Sequence, residues 1–271
     1  EDGIRDKLVT GVQTCALPIC VLTLTLNRPE ARNALSEALM RALQLTLDEA
    51  ADDKNVRTII LAGSGPAFCS GHDLKEMTSH RGEPDKGLAY FRALFAQCTR
   101  LMESIVRHPK PVIAKVHAMA TASGCQLVAA CDLAVAASTA RFATPGVNIG
   151  LFCSTPMVVL SRNLARKHAM EMLLTGDTID AAQARDWGLV NRVAAPQELD
   201  AATWALASQI AAKPMGTIKT GKVAFQHQLE LGLSSAYDYV SEVMTQNMLH
   251  AEAEEGIGAF LDKRAPKWPG T

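Results

Sequence analysis

From Val21 the chain reads VLTLTL, leucine alternating with threonine, the period-two mark of a half-buried strand. Asn27-Arg28-Pro29 turns the chain. Ser36 stands where it can N-cap a helix whose Leu39, Leu43 and Leu47 share one face. Thr58-Ile59-Ile60-Leu61 predicts a short, fully buried strand, ended by Gly63-Ser64-Gly65. Leu88, Phe91, Leu94, Phe95, Cys98, Leu101, Met102 and Ile105 fall on one helical stripe and predict a long helix over 87–106. Pro109 and Pro111 end it, and Val112-Ile113-Ala114 begins another buried strand. A small-residue turn, Ala122-Ser123-Gly124, opens a short helix ending near Cys131. Residues 132–136 are strand-like again. Strand, strand, helix thus recurs without sequence repeats, which predicts an α/β domain built as layers or a spiral.

After Ala195 the pattern changes to helices alone, over 198–212, 217–229, 234–248 and 252–261. The pattern therefore divides the chain into an α/β domain over 20–195 and a C-terminal helical region over 196–271. That region is apolar enough to pack on its own domain or on a neighbouring subunit.

The first residues, EDGIRDKLVTGVQTCALPIC, fit neither part. They lack the basic start, unbroken apolar core and small-residue cleavage site of a signal peptide. Val9 to Ile19, VTGVQTCALPI, instead matches one reading frame of a common sequencing-library adapter. The expectation is that residues 1–19 are not native and that native sequence resumes near Cys20. No other run reaches the roughly 18 apolar residues of a membrane span. The rest reads as cytoplasmic, with a targeting signal still open if the native start is lost.

The composition is that of an ordinary globular protein: of 271 residues, 48% are hydrophobic and 20% charged, with a formal net charge of −1. No basic face is implied, which argues against nucleic acid or a membrane surface as partner. Seven scattered cysteines fit reduced, buried thiols better than a disulfide framework or a zinc site.

Two glycine-centred turns carry candidate chemistry. FCSGHDLKEM, Phe68 to Met77, follows the strand ending near Leu61, and ATASGCQLVAACD, Ala120 to Asp132, follows the strand at Val112. Each places small residues where a strand gives way to a helix, so backbone amides can approach a ligand. Two amides converging on one oxygen would stabilise an oxyanion. The alternative is that both turns are structural only.

With NRPEARNAL (27–35), FATPGVNIGL (142–151), GLVNRV (188–193) and AFLDKR (259–264), these segments form six ordered motifs. In order and spacing the chain resembles the crotonase, or enoyl-CoA hydratase/isomerase, superfamily over about 20–264. The resemblance implies a crotonase-like spiral of ββα units with a C-terminal helical trimerisation region. The partners it implies are an acyl-CoA thioester and further copies of the chain, as a homotrimer or dimer of trimers. It implies no metal and no cofactor beyond the CoA carried by the substrate.

By position, the resemblance assigns the oxyanion hole to the amides of Ser70 and Ser123, with Gly71 and Gly124 keeping the turns open. Arg32 would lie beside the CoA phosphates, unless it is a solvated surface charge. His72, Asp73 and Leu74 follow the first turn along the CoA site. Asp73 would support its turn through backbone hydrogen bonds. Cys153 would face the acyl pocket. Phe260 and Lys263 match a pair that reaches the CoA of a neighbouring subunit.

One departure matters more than these matches. Hydratases of the family use two glutamates, and this chain has Gln126 at the first position and Gly146 at the second. A neutral amide is no general base at pH 7, and glycine has no side chain. His72 is the one ordinary acid–base group nearby in the alignment. A structural or CoA-contacting role suits it better than proton transfer. Cys153 would need a lowered pKa to act as a nucleophile. An acyl-CoA enzyme and a non-catalytic acyl-CoA-binding protein both fit this pattern. So do decarboxylation, isomerisation or thioester hydrolysis in place of hydration.

Overall fold

The computed structural model describes residues 12–17, as backbone, and 20–268. The strands are β1 (Val12–Leu17), β2 (Val21–Leu26), β3 (Thr58–Gly63), β4 (Ala67–Cys69), β5 (Val112–Val116), β6 (Met119–Thr121), β7 (Leu133–Ala137), β8 (Arg141–Ala143), β9 (Ile179–Asp180) and β10 (Arg192–Ala194). The helices of the α/β part are α1 (Glu37–Asp52), α2 (Leu74–Ser79), α3 (Leu88–Val106), α4 (Ser123–Ala130), α5 (Ser154–Asn163), α6 (Arg166–Thr175) and α7 (Ala181–Asp186). They are followed by α8 (Leu199–Ala211), α9 (Met215–Gln228), α10 (Leu233–Met248) and α11 (Ala251–Leu261).

The strands form two sheets. The larger has the order β1-β2-β3-β5-β7-β10, parallel from β2 onward, and the smaller has the order β4-β6-β8-β9. Each turn of the chain lays one strand in the large sheet and a short one in the small sheet, then returns through helix. β3-β4 leads to α2 and α3, β5-β6 to α4, and β7-β8 to α5 and α6. This is the strand–strand–helix repeat expected from the pattern, and it stacks as a spiral of ββα units.

Parallel strands joined by crossovers are covered on both faces, so they read as continuous apolar runs. Leu22, Leu24, Leu26, Ile59, Leu61, Ala114 and Ala136 face the main core together with α1, α3 and α4. On the opposite face Val21, Ile60, Ile113 and Val135 meet Leu199, Leu206, Ala207 and Ala211 of α8. The helical region expected from residue 196 therefore divides. Its first helix seals the sheet, while α9, α10 and α11 pack mainly on one another.

Most of the segment expected to be foreign lies outside the described residues. Its Val12–Leu17 part pairs antiparallel along the free edge of β2. Edge pairing uses main-chain groups, which any extended segment supplies.

Candidate active site

Two turns meet at the site, and the sequence shapes each locally. The first follows β4. Asn33 is fully buried in the preceding turn at φ 53°, and its Nδ2 donates to the carbonyls of Ser64, Ala67 and Phe68 at 2.8, 2.9 and 3.1 Å. This one amide ties the 28–34 turn to the strand leading into the site. Arg28 donates to Asp73 at 2.6 Å. Asp73 in turn caps α2, its Oδ1 accepting from the amides of Lys75 and Glu76. Burial would raise the Asp73 carboxyl, but Arg28 and those amides outweigh it and hold it below the usual range. Asp73 thus supports the turn, as expected. Sequence reasoning missed Asn33 and Arg28, although both lie inside the quoted NRPEARNAL segment.

Leu35 bridges to His72 in parallel, its amide donating to the Gly71 carbonyl at 2.7 Å and its carbonyl accepting from Asp73 at 3.2 Å. In such a bridge the amide of the middle residue points away from its partner strand. The His72 N–H is therefore turned from Leu35 and has no acceptor among the described residues.

The Ser70 N–H behaves differently, donating to the Arg32 carbonyl at 3.1 Å. This corrects the expectation for Ser70. Its amide is used inside the fold, and the free amide of this turn lies two residues later.

The second turn opens α4. Ala122 holds φ 50° and ψ −119°, a conformation that residues other than glycine rarely adopt. It leaves α4 without a side-chain N-cap. First-turn amides have no partner inside a helix, so the Ser123 N–H is free and backed by the helix dipole. The two turns touch. Gly71, at φ 91°, is so close that a Cβ there would lie 2.9 Å from Ala122 Cβ and 3.4 Å from the Ser123 nitrogen. At Gly124 a Cβ would sit 2.1 Å from the Cys69 carbonyl oxygen, so only glycine allows this approach.

All eight residues of α4 are buried. Gln126, 4% exposed, takes a weak contact from the Cys98 thiol at 4.0 Å. Burial pushes the thiols of Cys69, Cys98 and Cys125 up to about 12, so they stay protonated at neutral pH.

Gly146 is not an empty place awaiting a side chain. A Cβ there would stand 2.3 Å from the Leu151 carbonyl oxygen and 2.9 Å from Cys153 Sγ. The Leu151 amide closes this turn by donating to the Gly146 carbonyl at 2.9 Å. The place that the resemblance gives to the second glutamate is therefore closed by the 151–153 segment, which corrects its reading as merely vacant. Cys153 is buried there and its thiol is raised by burial, the Gly146 backbone opposing only in part, so it has no activated thiolate.

The outer residues fall in two groups. Arg32 (φ 52°) is exposed beside the first turn, and Leu74 begins α2 half exposed. Phe260, 81% exposed, lies at the end of α11 and Lys263 in the turn after it; the packing partners of α11 are α9 and α10. The single chain does not bring them to the two turns. Among the described residues no cluster of His, Cys, Asp and Glu is suited to a metal ion.

Comparison with known proteins supplies the context. The family described as Enoyl-CoA hydratase/isomerase matches residues 18–271. The human protein named enoyl-CoA hydratase domain-containing protein 3, mitochondrial, is 44% identical over 248 residues, covering 92% of this chain and 80% of that one. Its crystal structure superposes with a TM-score of 0.90 at 42% identity, covering 95% of this chain and 100% of that one. A Mycobacterium smegmatis structure titled enoyl-CoA hydratase gives a TM-score of 0.91 at 52% identity, covering 95% and 98%. The spiral of ββα units is the fold of these structures.

Proposed function

Because the chain belongs to the enoyl-CoA hydratase/isomerase family, we propose that it binds an acyl-CoA thioester and stabilises that thioester's enolate at two backbone amides, those of His72 and Ser123. The observation that carries this reading is the meeting of the two turns, each with an unused amide, at a contact so close that only glycine fits. Backbone donors of this kind cost no reorganisation during reaction and act where water is excluded.

The reaction proceeds without the two glutamates. Gln126 can donate or accept a hydrogen bond but holds no proton to exchange. Hydration of crotonyl-CoA is therefore feeble, each positioned acid–base group being worth roughly 10²–10⁴-fold. Decarboxylation, isomerisation and thioester hydrolysis use the same enolate or oxyanion stabilisation. A non-catalytic acyl-CoA-binding protein is the alternative, and the absence of a carboxylate at Gln126 and Gly146 favours it.

Arg32 suits the CoA phosphates, being exposed beside the first turn without a side-chain partner among the described residues. Phe260 and Lys263 would reach a CoA only across a subunit boundary, in a homotrimer or dimer of trimers. No described helix is long and apolar enough to cross a membrane.

Exchange of solvent deuterium into carbon 2 of a saturated acyl-CoA reports enolate formation directly. Wild type and Ser123→Ala should exchange at similar rates, because alanine keeps the amide. Ser123→Pro removes the N–H at the first position of α4, where proline suits the helix but Ala122 before it lies outside the extended region that proline favours. It should slow exchange by about 10²–10³-fold, the usual loss for one oxyanion donor. Circular dichroism and oligomer size check that the variants fold. Loss of exchange in a folded Ser123→Ala would mean that the hydroxyl, not the amide, is the working group.

A further inference from the structure

The reading above uses the His72 amide and leaves its side chain without a role. The ring lies edge-on to Phe95 of α3, with centroids 5.6 Å apart and planes at 82°. Both ring nitrogens are sealed from solvent, and neither has a hydrogen-bond partner. Native interiors leave few such groups, and those few call for a ligand, a water or a chemical role. A neutral imidazole offers one donor and one lone pair. Burial lowers the pKa of His72, while the Leu35 carbonyl, near the ring but outside hydrogen-bond geometry, opposes this in part. The lone pair is therefore free at neutral pH.

The other groups gathered here are poor proton acceptors at neutral pH. Gln126 is an amide. The Cys69, Cys98, Cys125 and Cys153 thiols are raised by burial and stay protonated. The Asp73 carboxylate is held by Arg28 and by the α2 amides, and it is a weaker base than an ordinary carboxylate. The His72 ring hangs from the same Cα as one proposed oxyanion donor. One side chain's length thus separates it from the thioester oxygen, and the carbon that loses a proton is bonded to that carbonyl.

We propose that His72 is a catalytic residue of this site, its imidazole removing and returning a proton at the carbon next to the thioester carbonyl. The C–H bond breaks and the proton passes to the unprotonated ring nitrogen. The electron pair moves into the enolate, whose oxygen rests on the His72 and Ser123 amides. Return of a proton to carbon restores the thioester and the neutral ring. The proposal rests on the acyl-CoA reading, and it assigns to one imidazole the proton transfer that positions 126 and 146 cannot supply.

The test follows deuterium exchange into butyryl-CoA by mass spectrometry, with butyryl-CoA binding measured by calorimetry on the same oligomeric protein. His72→Phe keeps the backbone amide and the aromatic contact with Phe95. His72→Gln keeps hydrogen bonding without a basic nitrogen, and serves as the second variant should the first fold poorly. Both should bind butyryl-CoA within about threefold of wild type, while exchange falls by about 10²-fold or more. A purely structural histidine would change binding and exchange together or neither. Exchange that persists in either folded variant would overturn the role of the ring and leave the enolate reading standing. A wild type that fails to bind butyryl-CoA, or binds it without exchange, would overturn the enolate reading and the role of His72 with it.

Discussion

Helix α4 and helices α9–α11 treat apolar residues in opposite ways. Every side chain of α4 is buried, glutamine included, between the sheets and α3. Each of α9, α10 and α11 has a single buried residue, an alanine: Ala224, Ala236 and Ala259. Leu233, Tyr237, Met244, Leu249, Phe260 and Leu261 stand more than half exposed on or beside them. Apolar patches of this kind mark interaction surfaces. In α4, apolar sequence is satisfied by the chain's own fold. In the last three helices it stands exposed, and the proposed trimer would cover it.

One buried ion pair joins the two regions. Lys222 of α9 reaches Asp132 at 2.6 Å and also donates to the carbonyls of Ile105 and Lys110. Asp132 accepts the Val112 amide as well, fixing the start of β5. Lys222→Ala would leave the Asp132 carboxylate buried without its cation, a change that typically costs about 3–5 kcal/mol. Urea unfolding should show this loss. A variant as stable as wild type would mean that α9 is held by packing alone.

Next in size is Gly146→Ala. Its Cβ would press on the Leu151 carbonyl, and overpacking of this kind costs about 1–3 kcal/mol. For the same reason, Gln126→Glu combined with Gly146→Glu should not create a hydratase. Hydratase-level turnover of crotonyl-CoA by the double variant would show that the 151–153 segment moves aside.

The Arg28–Asp73 clamp is worth less. The folded Asp73 carboxyl lies below its unfolded value, so its contribution is complete above about pH 4 and lost as pH falls through the folded pKa. Asp73→Asn keeps a capping oxygen but loses the charge paired with Arg28, so it should remove about 1 kcal/mol or less and flatten the acid limb of stability against pH. An unchanged acid limb would place the acid sensitivity elsewhere.

The smallest effect belongs to the outer helices. Lys263→Ala should weaken CoA binding by less than about 1 kcal/mol, as for an exposed ion pair, without changing the oligomer. Calorimetry at low salt with an unchanged dissociation constant would remove Lys263 from the site.

Much of this was legible from local pattern. The alternation at 21–26 is β2, the stripe over 87–106 is α3, and the small-residue turn at 122–124 does open α4. Ser36 caps α1, its side chain accepting from Leu39. These features depend on residues a few positions apart, so period and capping chemistry reveal them. The three-residue strands β4 and β8 carry too few positions for a period to show, and they exist because neighbouring turns of the spiral pair with them.

The candidate site divides along the same line. Sequence alone located both glycine turns and, through the resemblance, placed Gln126 and Gly146 where hydratases of the family carry glutamates, because residue types at known spacing carry that information. Which amide of the first turn is free depended on two contacts distant along the chain. The Arg32 carbonyl takes the Ser70 N–H, and the Leu35 bridge turns the His72 N–H outward. The closure of the Gly146 place depended on the path of 151–153, and the isolation of the His72 ring on packing against Phe95. Hydrogen-bond direction and free volume are properties of how segments meet, and no single segment encodes them.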